Sequence, residues 1–146
     1  MFRILIETLL AATAGLALAA ASLPAPTQDG GGEEWKVPAR AAKKKNPSPA
    51  DESSLAQGKA LYKKECLSCH GELGKGDGPG AKDLEKPAGN LADPKMWSQT
   101  DGALYFKITE GRKPMPTFEK MFTDEQRWQI VNYIRTLAPK PPDRKD

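Results

Sequence analysis

The most informative stretch of the chain is Cys66-Leu67-Ser68-Cys69-His70, which contains both cysteines and the one histidine of the 146 residues. The pattern C-x-x-C-H is the attachment sequence for c-type haem. Because residues three apart lie on the same face of a helix, Cys66 and Cys69 can form thioethers with two vinyl groups on one porphyrin edge. The adjacent His70 can then provide an imidazole nitrogen to the iron. The stretch therefore predicts one covalently attached haem c.

Three other interpretations of the same residues are weaker. A structural zinc ion needs four protein ligands, and only three are present here. A redox-active dithiol of the thioredoxin type lies in a βαβ unit, and no segment of alternating polarity surrounds this motif. A structural disulfide would account for the two cysteines but would leave the histidine unexplained.

The second axial ligand of a haem iron in electron-transfer proteins is typically methionine. Met115 lies in the segment Gly111–Phe118, where a proline on each side prevents a helix from continuing. A long side chain on such a rigid loop is well placed to bind iron, so Met115 is predicted as the second ligand. Met96 and Met121 lie beside aromatic residues and are predicted to pack in the core.

Composition and charge exclude several other classes of protein. The 22 lysine and arginine residues against 19 aspartate and glutamate residues give a formal net charge of +3, which is too balanced for a nucleic-acid-binding protein with a clustered basic surface. Two cysteines are too few for a disulfide-dense scaffold, and one histidine argues against a multi-histidine metal enzyme. The 13 glycines and 13 prolines indicate long segments outside the core.

The length sets an expectation of one domain with flanking segments. Residues 1–22 are predicted to be an export signal peptide, because a basic residue precedes an apolar, alanine-rich run that ends in small residues. The alternative is an uncleaved membrane tether through residues 4–23. Residues 23–52, rich in proline, glycine and lysine, are predicted to be a disordered linker, and residues 139–146 a flexible tail. The folded domain is predicted over residues 53–138, located in the periplasm.

The folded unit is predicted to be all-α, with three to four short helices wrapped around the haem. The first helix is predicted to begin near Ser54, a middle helix to run over about residues 100–110, and the last helix to begin at Thr123 with a capping box. Gly58 within the first helix costs about 1 kcal/mol relative to alanine, which indicates a close helix crossing. The glycine-rich loop 74–80 matches no phosphate-binding motif and is predicted to pass close to the haem edge.

A set of motifs extends across the folded unit. Its members are Gly58 and Tyr62, the C-x-x-C-H-G motif at 66–71, the loop 74–81, Asp101–Tyr105 with Ile108, the segment Gly111–Phe118 and the last helix over Trp128–Leu137. With these motifs, residues 53–138 resemble a class I, single-haem cytochrome c domain of the periplasmic bacterial kind. The resemblance implies that the Pro79 carbonyl contacts the free nitrogen of His70. Trp97 is expected to reach a haem propionate.

A histidine and a methionine on the iron would leave no open coordination position for a substrate. The chain is therefore expected to be an exported electron carrier and not an enzyme, passing single electrons between a donor and an acceptor protein or serving as the cytochrome subunit of a membrane respiratory complex. The alternative is a haem enzyme or a gas or peroxide sensor with an open iron site, although the chain has no second histidine. A third interpretation is a passive docking domain within an assembly. No nucleic-acid partner is expected.

Overall fold

Five α-helical segments form within the residues that the structure describes. The computed structural model describes residues 35–140, and its α-helices are α1 (Ala39–Ala42), α2 (Glu52–Glu65), α3 (Leu67–His70), α4 (Asp101–Glu110) and α5 (Asp124–Leu137). Two 3-10 helices lie between α3 and α4, at Ala81–Asp83 and Pro94–Ser98. No strand forms within the described range, and the predicted all-α class is confirmed. More segments are seen than the three to four predicted because α1 and α3 are single turns of 4 residues each.

Side-chain caps fix where the long helices begin, and the first long helix begins at Glu52, slightly before the predicted Ser54. Helix α2 begins directly after Asp51, whose carboxylate accepts a hydrogen bond from the Ser54 N–H at 2.8 Å. The start therefore lies earlier than Ser54, which is buried inside the first turn and accepts a bond from Asn132 through its hydroxyl. Helix α5 has the predicted capping box, formed between Thr123 and Gln126.

Helices α2 and α5 cross closely at Gly58, as predicted. A Cβ atom built at this glycine would lie 2.0 Å from the backbone oxygen of Gln129 and 3.0 Å from the Cβ of Tyr133. No larger residue fits there without separating the helices. The most deeply buried large side chains of the described residues are Tyr62, Ile130 and Val131, which belong to these two helices. The crossing therefore fixes the orientation of α2 and with it the position of the C-terminal end of α2, where Cys66 lies.

The rest of the core lies between α4 and α5. Tyr105 of α4 stacks on Trp128 of α5 with ring centroids 4.0 Å apart. Buried residues of α5 recur at helical spacing, which is the pattern of an apolar stripe facing a core. Cys66 and Met115 both pack against the same cluster of buried residues.

Residues 35–49 lie across α4 and α5, and we call this segment the N-terminal strap. Ala41 is buried within it, and the Thr100 hydroxyl donates to the Ala42 carbonyl at 2.6 Å. A Cβ atom at Gly102 would lie 2.3 Å from the Ala41 oxygen. The strap can therefore pack closely on α4 only because residue 102 is a glycine. The structure departs here from the predicted disordered linker.

The linker was predicted over residues 23–52, and the structure describes residues 35–52 of it. Polar contacts explain why this described part packs on the domain. The Asn46 amide donates to the Asn132 side chain at 2.7 Å, and Asn132 in turn donates to the Ser48 and Pro49 carbonyls. A proline- and lysine-rich composition predicts disorder because such segments bury little apolar surface. The strap is held instead by hydrogen bonds to a buried asparagine, which composition does not reveal.

Several predictions concern residues outside the described range. The export signal over residues 1–22, the tether through residues 4–23 and all but the first two residues of the tail at 139–146 lie there. Within residues 35–140, no helix has the length and the apolar character needed to cross a membrane.

Candidate haem site

The C-x-x-C-H stretch occupies a single helical turn. Cys66 ends α2, and α3 follows at once over Leu67–His70. The N–H groups of Cys69 and His70 both donate to the Cys66 carbonyl, at 3.2 and 2.9 Å. Both cysteines are free thiols and are partly buried. Two sulfurs at helical spacing fit covalent attachment of a porphyrin edge.

Tyr62 anchors the far end of this turn. Its side chain is fully buried, and its hydroxyl donates to the Gly71 carbonyl at 2.7 Å. Burial raises the pKa of Tyr62 well above its usual range, so the hydroxyl remains a donor. Gly71 ends α3 with a φ of 78°, a left-handed conformation that favours glycine. Helices α2 and α3 are thus tied together across the stretch that carries the thiols.

The glycine-rich loop over residues 74–80 is bonded along the backbone of α3. Its N–H groups at Gly76, Gly78 and Gly80 donate to the carbonyls of His70, Cys69 and Ser68, at 2.8, 3.2 and 2.8 Å. A Cβ atom at Gly78 would lie 2.2 Å from the Ser68 oxygen, so a side chain there would disrupt this contact. These glycines allow close approach to the backbone of the attachment stretch. Their predicted approach to the haem edge stays a prediction.

A backbone carbonyl orients the imidazole of His70. Its Nδ1 lies 3.1 Å from the Gly89 oxygen. Because a carbonyl can only accept, Nδ1 carries the proton in this bond and Nε2 retains the lone pair that binds a metal. Burial lowers the pKa of His70, and the bond to Gly89 opposes this in part. The neutral imidazole, which is the form that ligates iron, is therefore favoured at neutral pH.

Gly89 provides this contact in place of the predicted Pro79. Pro79 is exposed, and the N–H groups on either side of it are bonded to α3. The loop instead lies against the segment 88–89, since a Cβ atom at Gly76 would be 2.4 Å from the Ala88 oxygen. Sequence reasoning missed Gly89 because nothing in the sequence marks which carbonyl faces a histidine.

The environment of Cys66 opposes a redox-active dithiol. Burial, together with the nearby Glu65 and Cys69, raises the pKa of the Cys66 thiol to about 12. Reactive C-x-x-C pairs instead have a thiolate whose pKa is lowered. A protonated, partly buried thiol fits a sulfur that ends as a neutral thioether.

Met115 lies in a tight loop after α4. The Arg112 N–H donates to the Met115 carbonyl at 3.0 Å, and the Met115 N–H donates back to the Arg112 carbonyl at 2.9 Å. Thr117 and Phe118 then donate to carbonyls near the end of α4, which fixes the loop to that helix. The Met115 side chain is partly buried and packs against the same core as Cys66.

The two other methionines within residues 35–140 are less suited to bind iron. Met96 is buried, as predicted, and its sulfur accepts a hydrogen bond from the Gln99 amide at 3.2 Å. Met121 was also predicted to pack, and this was wrong, because its side chain is 55% exposed. Phe118 and Phe122, which Met121 was expected to join in an apolar cluster, stack on each other with centroids 5.3 Å apart. Met121 is not part of this pair.

Arg135 organises the segment that carries Trp97. Its guanidinium donates to one carboxylate and two carbonyls within residues 96–101 and lies 4.9 Å from the centre of the Trp97 ring. The indole N–H donates to the Ala138 carbonyl at 3.2 Å. The predicted contact from Trp97 to a haem propionate would have to share this N–H, and it stays a prediction. Sequence reasoning missed Arg135, which has no motif to mark it.

The donor set is the one that a porphyrin bound through two sulfurs requires. The thiols lie on one helical turn, the imidazole beside them presents Nε2, and glycines of the loop 74–80 are hydrogen-bonded to the backbone of the same turn. A haem bound there would add apolar volume that a small helical domain lacks. Fold and site together are those of a class I c-type cytochrome domain with one covalent haem c.

Comparison with known proteins gives the family. Residues 53–134 match the family described as cytochrome c oxidase, cbb3-type, subunit III, and the chain belongs to this family. It is 29% identical over 95 residues to cytochrome c6 from Rippkaea orientalis, covering 62% of this chain and 77% of that relative. A chain of the Kuenenia stuttgartiensis reducing HAO-like protein complex is 31% identical, with a TM-score of 0.57 over 64% of this chain. The match spans 47% of that solved chain, about half its length.

These matches confirm three predictions made from the sequence. The resemblance to class I cytochromes, the covalent haem c and a role in electron transport all follow from the family and the cytochrome c6 relative. The chain is therefore a haem-bearing electron-transfer protein.

Proposed function

We propose that this chain is an exported, single-haem electron carrier in which His70 and Met115 are the two axial ligands of the iron. The observation that carries this proposal is the loop that holds Met115, whose side chain is partly buried against the same core as Cys66. The sulfur of Met96 is hydrogen-bonded elsewhere, and Met121 extends into solvent. Met115 is thus the methionine best suited to reach a haem attached at the cysteines.

Each residue has one task in this arrangement. The Cys66 and Cys69 sulfurs would hold the haem by thioether bonds, and the Gly89 carbonyl, as partner of Nδ1, would leave Nε2 of His70 available to bind the iron. A thioether ligand raises the reduction potential relative to a second nitrogen ligand. The bound haem supplies a one-electron Fe(II)/Fe(III) couple.

With both axial positions filled, oxygen, peroxide or a substrate has no position on the iron, so we propose no bond-making reaction for this chain. A haem enzyme or gas sensor would need an open position. The similarity to a cytochrome c6 supports the carrier role.

The partners that we propose are one redox protein that donates electrons and another that accepts them. The family description names an oxidase subunit, and the solved relative belongs to a complex. Both support a role as the cytochrome subunit of a membrane respiratory complex as an alternative to a free carrier. The pattern at residues 1–22 supports export to the periplasm, as a released protein or tethered through residues 4–23.

A visible absorption spectrum tests this proposal, recorded on protein exported in a host that matures c-type haem. The oxidised parent should show a Met–iron charge-transfer band, and the reduced parent should not respond to carbon monoxide. Met115→Ala should keep its haem, lose the band and bind carbon monoxide. Met121→Leu, a volume-conserving change at an exposed site, is the matched control and should keep the parent spectrum.

Two results would contradict the proposal. A parent that binds carbon monoxide has an open iron site, and the enzyme or sensor interpretation would replace the carrier. A reduced Met115→Ala protein that resists carbon monoxide as the parent does would show that Met115 is not the ligand.

A further inference from the structure

The N-terminal strap begins against the loop that carries Met115. The indole ring of Trp35 contacts two cations: the Arg112 guanidinium, 4.8 Å from the ring centre, and the Lys107 ammonium, 5.6 Å from it. Trp35 is partly buried, and both distances are within the range at which a cation is attracted to an aromatic face. The strap therefore contacts the chain on both sides of the point where α4 ends.

Arg112 is also one of the two residues that close the Met115 loop. Its N–H and carbonyl exchange hydrogen bonds with the carbonyl and N–H of Met115, at 3.0 and 2.9 Å. A movement of the loop that carries the Met115 backbone away from the core must therefore break this pair of bonds or move Arg112 with it. The contact between Arg112 and Trp35 resists such a movement.

The rest of the strap gives Trp35 a fixed base. The Ala42 carbonyl accepts a hydrogen bond from Thr100 at the start of α4, and Asn46 is bonded to Asn132 of α5. The indole is thus carried by a segment that is bound to two helices. The family match begins at residue 53, after this segment.

We infer that Trp35 is a positioning residue for Met115: it holds Arg112 and, through Arg112, keeps the Met115 loop closed on the core. This inference rests on the proposed function, because it takes Met115 as an iron ligand. Its consequence is that a segment outside the family match controls how readily Met115 leaves the iron and an external ligand enters.

Imidazole binding to the oxidised protein measures how often the loop opens. An external ligand binds only after Met115 has left, so its apparent dissociation constant varies inversely with the open fraction. Loss of one exposed cation–π contact shifts an equilibrium by about two- to fivefold. We expect Trp35→Ala, which removes the contact to Arg112, to bind imidazole up to about fivefold more tightly than the parent. Trp35→Phe retains an aromatic face and should stay within about twofold of the parent.

Two further variants separate this positioning role from a general loosening of the fold. Ala60→Gly weakens α2 at an exposed position outside the strap. It should lower the stability to denaturant without tightening imidazole binding. In an Arg112→Ala background, Trp35→Ala should have no additional effect on imidazole binding, because the residue through which it acts is already absent.

The outcomes distinguish this inference from the proposed function. If the parent has a Met–iron band and resists imidazole, but Trp35→Ala binds imidazole no more tightly, the inference is overturned and the proposed function stands. The inference is also overturned if Ala60→Gly tightens binding as much as Trp35→Ala. If the parent lacks the band and binds imidazole freely, Met115 is not a ligand and both fail together.

Discussion

Replacing Gly58 with alanine tests whether the crossing of α2 and α5 limits the stability of the domain. The added Cβ would lie 2.0 Å from the Gln129 oxygen and 2.7 Å from its carbonyl carbon. The oxygen would be about 1.5 Å closer than non-bonded heavy atoms prefer. Backbone atoms of a helix cannot rotate aside as a flexible side chain can, so the two helices must separate.

Two opposing effects set the size of the change. Alanine is a better helix former than glycine by about 1 kcal/mol, whereas overpacking a tight contact costs about 1–3 kcal/mol and more when backbone must shift. The separation also loosens the contacts of Tyr62 and Val131, which are fully buried. We therefore expect a net loss of about 2–3 kcal/mol in the free energy of unfolding, a large part of the ~5–15 kcal/mol of a typical domain.

Unfolding of the holoprotein by guanidinium, followed by far-UV circular dichroism, gives the free energy of each variant. Ala60→Gly is the matched control, because Ala60 is exposed on the same helix and reports helix propensity alone, with an expected cost of about 1 kcal/mol. If Gly58→Ala is as stable as the parent while Ala60→Gly loses about 1 kcal/mol, propensity outweighs the close contact and the reasoning is wrong.

Three further predictions concern the attachment stretch and the strap. Cys69→Ala should sharply reduce covalent haem retention, measured by haem staining after denaturing electrophoresis; normal yields would contradict the haem assignment. Tyr62→Phe should cost about 1–2 kcal/mol at pH 7 through the lost bond to Gly71. Because the folded-state pKa of Tyr62 is raised, its contribution is present below pH ~10 and is lost as the pH rises toward the folded-state pKa. The variant should therefore lose stability less steeply than the parent above pH ~10, and parallel curves would refute this. Asn132→Ala removes the donor to the Ser48 carbonyl and should cost about 2–3 kcal/mol and speed tryptic cleavage of the strap; unchanged proteolysis would show that the strap is held by other contacts.

The helices could be predicted where the determining interactions are local. The capping box of α5 is closed by Thr123 and Gln126, three positions apart, so both partners are visible in one short window of sequence. Gly58 could be interpreted as a close crossing because a glycine inside a helix is costly without a packing reason. The haem attachment could be predicted for the same reason, since its two sulfurs and imidazole lie within five consecutive residues.

The contacts that could not be predicted join residues far apart in the chain. The Gly89 carbonyl that orients His70 lies 19 positions away, and a carbonyl carries no side-chain signal. Asn46 and Asn132 are 86 positions apart, so the order of the strap depends on a pairing that the linker composition hides. The error at Met121 has a different, local origin: neighbouring aromatic residues indicated a cluster, but this side chain is exposed.

The glycines show how composition can have more than one structural meaning. The 13 glycines of the chain indicated long segments outside the core, yet several of those within residues 35–140 lie where two backbones meet. Gly58 meets α5, Gly78 meets α3 and Gly102 meets the strap, each with a backbone oxygen within 2.3 Å of a Cβ atom built there. A small domain has few apolar side chains with which to bury surface. Larger domains bury surface mainly with large apolar side chains. Here close contact between backbones and a covalently bound haem provide part of that burial.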